Sequence, residues 1–178
     1  MIMEGEFLLY QDNKLIKRCK NHLTKDAAIF MLSCLNSGQT TTIYYPSNTS
    51  YMTLRAGKGT GVVPSYDVTA LKEQVISIPA AQIVTSSNYT DTTFEFVVRG
   101  NFTQANMSTF GQNKMTELGF FSSAPIITTY NWTENSPTSQ TVKLLGYISS
   151  PNDFSDTDVD VTKALTAEWK LKFIFGGI

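Results

Sequence analysis

The sequence predicts a mainly β protein, an antiparallel β-sandwich with one α-helix near its N-terminus. Three observations lead there. Residues 165–175 alternate without a break: Leu165, Ala167, Trp169, Leu171, Phe173 and Phe175 fall on one side of an extended chain, and Thr166, Glu168, Lys170 and Lys172 on the other. That period of two marks a half-buried strand. Residues 92–99 alternate in the same way, with Phe94, Phe96 and Val98 set against Glu95, Val97 and Arg99. Between such segments lie short polar turn clusters, which suit strands joined by turns and not by crossover helices.

Taken in order, Phe7-Leu8-Leu9-Tyr10 and Leu15-Ile16 flank a turn at Gln11-Asp12-Asn13. This reads as a short β-hairpin or an extended arm, so residues 1–20 are assigned as an N-terminal arm or hairpin and 21–178 as a single sandwich domain. As an arm, Phe7, Leu8, Leu9 and Tyr10 are candidate interface residues; otherwise they form an edge strand of their own sheet. Thr24 to Leu35 reads as the helix: Thr24 caps it, Asp26 favours the positive end of its dipole and Gly38 lies just past its end. Ala28, Met31, Leu32 and Leu35 form its apolar stripe. Extended segments follow at 41–45, 51–55, 75–78, 83–86, 92–99, 115–121, 125–130 and 142–149, with a tight glycine loop at 57–61 and polar loops at 131–141 and 151–160.

Composition narrows the function. A chain of 178 residues suits one domain with a real core. Only 16% of residues are charged, against about a quarter in ordinary soluble proteins, which suits a subunit packed against neighbours. The net charge of −1 argues against nucleic acid as the main partner. The local basic cluster Lys14, Lys17, Arg18, Lys20 reads as a solvated strand and turn. Cys19 and Cys34 are too few for a disulfide framework and lack metal-ligand spacing. The acidic start Met1 to Glu6 has no signal-peptide pattern, and no apolar run reaches membrane-spanning length. The Asn-x-Ser/Thr triplets at Asn48, Asn88, Asn101, Asn106 and Asn131 read as a by-product of composition.

No enzyme constellation stands out. Ala56-Gly57-Lys58-Gly59-Thr60 resembles the end of a phosphate-binding loop, but Met52 occupies the position of the first glycine and Gly61-Val62-Val63-Pro64 does not start a helix. His22 is the only histidine and reads as a solvated or capping residue before the helix. Asp153, Asp156, Asp158 and Asp160 read as a polar loop, since the run lacks the glycine and closing glutamate of a helix-loop-helix calcium site. No cofactor or metal is expected. Trp132, in the polar stretch Asn131-Trp132-Thr133-Glu134-Asn135, is the aromatic best placed for an intermolecular contact.

The order of segments resembles a broad group of tailed-bacteriophage virion structural proteins, found among tail-collar, fibre-attachment, neck and baseplate components. The resemblance rests on Asn21-His22-Leu23-Thr24 opening a helix, on Gly57-Lys58-Gly59-Thr60 followed by Asp67-Val68-Thr69-Ala70-Leu71, on Met115-Thr116-Glu117-Leu118-Gly119-Phe120-Phe121, and on the closing strand Glu168-Trp169-Lys170-Leu171-Lys172-Phe173-Ile174-Phe175. That group carries G-x-G-T … D-T-x-L, I-T-E-x-G-L-F and a final Trp-containing strand. Here Val68 separates Asp67 from Thr69, Met115 replaces an aliphatic residue, and no fibrous C-terminal extension follows, which favours an adaptor, ring or collar role.

The resemblance implies a non-enzymatic particle component that assembles with copies of itself and other virion proteins, made in the host bacterial cytoplasm and located in the virion. It also implies fold-holding roles for Gly57, Gly59, Thr60, Asp67, Leu71, Glu117, Gly119 and Trp169. Glu117 is expected to satisfy backbone donors of a neighbouring turn, and Gly119 to allow strands to approach closely. The alternative is a receptor- or carbohydrate-binding module at a particle surface, with no membrane partner in either case.

Overall fold

A computed structural model describes residues 2–28, 52–61, 63, 65–82, 93–112, 114–122 and 143–174. The strands are β1 (Ile2–Gln11), β2 (Lys14–Lys20), β3 (His22–Leu23), β4 (Met52–Gly57), β5 (Gln74–Pro79), β6 (Ala81–Gln82), β7 (Thr93–Phe102), β8 (Glu117–Ser122), β9 (Lys143–Ser149) and β10 (Leu165–Ile174). They form two five-stranded antiparallel sheets. Sheet A runs β2-β1-β10-β7-β6 and sheet B runs β3-β9-β8-β4-β5.

The sheets pack face to face, as the alternation predicts. In β10, Leu165, Ala167, Trp169, Leu171 and Phe173 are all buried on the inner face, and Thr166, Lys170 and Lys172 are half-buried on the other. These side chains meet Leu54, Ile76, Ile78, Leu118, Phe120 and Ile148 of sheet B in one core. Trp169 stacks on Phe120 across the sandwich, with ring centroids 4.4 Å apart. Offset aromatic stacking adds to the burial of both rings.

The N-terminal segment is a hairpin. Asp12 and Asn13 both have positive φ, 51° and 60°, the backbone of a two-residue turn whose twist matches the flanking strands. An arm reaching outward is corrected by the register, which pairs β1 with β10 from Ile2↔Ile174 to Tyr10↔Thr166 and with β2 on its other edge. Phe7 and Leu9 are fully buried and Leu8 nearly so, with Tyr10 half-buried. The candidate interface at Phe7, Leu8, Leu9 and Tyr10 is therefore internal packing, and residues 1–20 belong to the sandwich. An apolar run reports that it needs a partner surface, not which chain supplies it.

Residues 25–28 are helical, with Thr24 Oγ1 accepting from the Ala27 N–H at 3.2 Å, the geometry of an N-cap. The expected remainder of that helix, with Met31, Leu32, Cys34, Leu35 and Gly38, lies outside the described residues. So do the expected extended segments at 41–45, 83–86 and 125–130, the loop at 131–141 with Trp132, and Phe175. A second helix, Gln104–Ser108, was not expected. Thr103 and Asn106 close a reciprocal capping box around it, and only Met107 is buried. Five residues are too few to show a helical period, and Asn in place of Glu or Gln hides the capping pattern.

Candidate functional site

The feature that sets this sandwich apart is the loop 58–73, which joins β4 to β5 across the outer face of sheet B. Its ends are neighbours, since Gly57 pairs with Gln74, and a compact loop of this size with closed ends is often functional.

Glu117 anchors it. In β8 the side chains alternate, so Leu118 and Phe120 enter the main core while Glu117, Gly119 and Phe121 face the loop. All six β8 residues are buried, because both faces of the strand are covered. The Glu117 carboxylate, only 1% exposed, accepts from three loop amides: Lys72 N–H on Oε1 at 2.8 Å, and Gly59 and Glu73 N–H on Oε2 at 3.0 Å each. Charge-assisted bonds of this kind are the stronger class. The adjacent Thr116 donates its hydroxyl to the Gly59 carbonyl at 2.7 Å, and its N–H donates to the Gly57 carbonyl at 2.9 Å. The Lys58 N–H closes the loop onto the Glu73 carbonyl at 3.0 Å, and the Lys72 ammonium donates to the Thr60 carbonyl.

The far part of the loop is fastened separately. Tyr147 accepts from the Ser65 N–H at 2.8 Å and donates to the Ser65 carbonyl at 3.0 Å. Burial raises the Tyr147 phenol above its ordinary value, against the opposing pull of the Ser65 backbone. Lys25 N–H donates to the Tyr66 carbonyl at 2.8 Å. Leu71 packs with Phe121, Leu144 and Tyr147, with Val68 against them. Asp67 is exposed in a turn where its N–H donates to Ser65 Oγ at 3.2 Å.

Two glycines make the approach possible. A Cβ on Gly59 would lie 2.6 Å from both Glu117 Oε2 and Lys72 Cβ, so Gly59→Ala should displace the carboxylate and cost about 1–3 kcal/mol. Chemical denaturation checks this, and a midpoint equal to wild type would show that the contact gives way freely. Gly119 serves differently from the expectation of close strands. A Cβ there would meet Leu144 Cδ1 at 2.8 Å and Leu71 Cδ2 at 3.1 Å, so what it admits is the loop's apolar underside.

What the fastened loop presents is apolar. Among the described residues the exposed large hydrophobics are Leu15, Val63 and Tyr66, and the last two, 78% and 67% exposed, sit on this loop. Sequence reading passed over both. The signal available was an apolar Val62-Val63-Pro64 run and Tyr66 inside a segment otherwise read as a glycine loop. No known protein family, characterised protein or solved structure matches this chain. The site is therefore read from its own geometry.

The other sequence candidates are distributed elsewhere. His22 Nε2 lies 2.8 Å from Asp153 Oδ1, and Asp153 Oδ2 accepts from the Ser149 N–H at 2.8 Å. The pair joins β3 to the turn after β9. The buried Ser149 hydroxyl has no partner among the described residues, so it is not engaged by His22. Cys19 is buried, and burial foremost pushes its thiol up to about 11, the state of an inert cysteine. Asp156 pairs with Lys114 at 3.1 Å, Asp158 with Lys17 at 3.0 Å, and Asp160 accepts from Thr162 at 2.9 and 2.6 Å. Each carboxylate of that loop is held by its own cation or local donor. Lys58 of the glycine loop is paired with Glu73 at 3.2 Å.

Proposed function

We propose that this chain is a structural subunit of a phage particle, an adaptor, collar, neck or baseplate component that acts by protein–protein assembly. The observation that carries the reading is the loop 58–73, fastened by Glu117 and Tyr147 while it exposes Val63 and Tyr66. Ordering a binding loop at the moment of association costs free energy, and a loop already held in place avoids that cost. Tyrosine at the centre of such a patch is a frequent anchor of binding energy. The motif order from Asn21 to the closing strand supports the particle assignment, and the low charge supports a surface meant to be covered.

The test is a Val63→Ser/Tyr66→Ser double variant. Both side chains are exposed, so the unfolding midpoint should stay within about 0.5 kcal/mol of wild type. Oligomerisation, or co-sedimentation with other virion proteins, should be lost. A specific interface should bury roughly 1,000 Å² or more in total. Unchanged assembly of the double variant would remove the loop from the interface. A glycan-array signal abolished by Tyr66→Ser, with no assembly defect, would replace this reading with the carbohydrate-binding one.

A further inference from the structure

A second site lies away from that loop and does not depend on its reading. An open cleft of about 530 Å³ is lined by Ser77 and Pro79 of β5, by Arg99, Gly100 and Asn101 of β7, and by Asn106 of the short helix. Its volume is that of a small-ligand site.

The polar groups around it are unevenly used. Asn106 Oδ1 accepts from the Thr103 N–H at 3.0 Å and the Thr103 hydroxyl at 2.8 Å. Asn101 Oδ1 accepts from the Thr166 hydroxyl at 2.9 Å. In both amides the acceptor is occupied and the NH₂ group has no partner among the described residues. Arg99 donates through Nε and one Nη to a single oxygen of Glu168, which fixes the guanidinium plane and leaves its other Nη without a partner among the described residues. The Ser77 hydroxyl likewise has no bond among them. The cleft thus brings together four sets of donors while its side-chain acceptors are occupied from behind.

We infer that this cleft binds a carboxylate. A planar group with acceptor lone pairs matches a guanidinium edge and flanking amides. A ligand rich in hydroxyl donors would find the Asn acceptors taken. The cation is already paired with Glu168, so recognition rests on hydrogen-bond geometry and not on net charge. Two sources share this chemistry, an acidic sugar and an acidic amino-acid side chain.

The experiment titrates the whole chain with methyl glucuronide and with N-acetylglutamate methylamide, following the side-chain amide NMR signals of Asn101 and Asn106. Methyl glucoside and the glutamine analogue are the neutral controls. At least one acid should give saturable shifts with a Kd on the order of 1 mM, and the arm that responds identifies the source. Asn101→Asp/Asn106→Asp keeps both acceptors that Thr166 and Thr103 use and replaces the donors by like charge. It should stay folded and bind about tenfold or more weakly. Ser77→Ala, which breaks no bond in the free protein, should weaken binding by roughly threefold and guards against a folding defect in the double variant. Shifts from neither acid at about 20 mM, some twentyfold above that Kd, equal shifts from the neutral controls, or undiminished binding by the folded double variant would overturn the inference.

Discussion

Glu117→Ala should lower the stability of this protein by about 3–5 kcal/mol, a large share of the total for one domain. The side chain is 1% exposed, and its two oxygens are the acceptors for the amides of Gly59, Lys72 and Glu73. Alanine leaves three donors without that partner, each costing roughly 1–3 kcal/mol where water cannot replace it. It also opens a void beneath the loop. Glu117→Gln keeps one acceptor oxygen but turns an NH₂ toward at least one of these N–H groups, so its loss should be intermediate. Urea denaturation measures the global effect. Hydrogen exchange at Gly59, Lys72 and Glu73 measures the local one, and these amides should lose protection even where the sandwich persists. Wild-type protection in Glu117→Ala would show that the loop is held by its apolar contacts alone.

Trp169→Ala should cost a comparable amount, about 3–5 kcal/mol, by a different route. Trp169 is 1% exposed, stacks on Phe120 of the opposite sheet and lies in the same inner row as Ala167 and Leu171. Removing the indole deletes the largest fully buried side chain at the contact between the sheets. A close-packed interior refills such a gap only in part. The denaturation midpoint should fall with little change in the denaturant slope, because the unfolded surface is nearly the same. An unchanged midpoint would mean that the strand is turned the other way.

These two residues also show how much was legible. The face and start of β10 follow from strict alternation, and Trp169 falls on the buried side because a slip of one residue would expose the whole row. Glu117 was legible as an acceptor for a turn, since a lone carboxylate in an apolar strand needs donors. Which amides it meets was not, because Gly59 and Glu73 are 58 and 44 positions away along the chain. The hairpin's place inside sheet A was hidden for the same reason: its partner lies at the other end of the sequence. Val63 and Tyr66 were hidden because exposure depends on how a loop is fastened, and no periodicity records that.

The pairing of β1 with β10 has a consequence for the order in which the molecule can be made. Ile2 is hydrogen-bonded into a ladder opposite Ile174, so the first strand to leave the ribosome finds its partner only when the last described strand is synthesised. The strands β4, β5, β8 and β9 of sheet B are all complete by Ser149. Within sheet A, β10 is the strand that connects the N-terminal hairpin to β7 among the described residues. Closing a loop that spans nearly the whole chain carries a large entropic cost, and non-local pairing of this kind is slow. During synthesis the inner face of sheet B therefore stands uncovered by β10, and Phe120 waits without Trp169. A newly made chain of this fold is most exposed to wrong partners in that interval, and crowding by sister chains on one messenger is the condition under which it matters most.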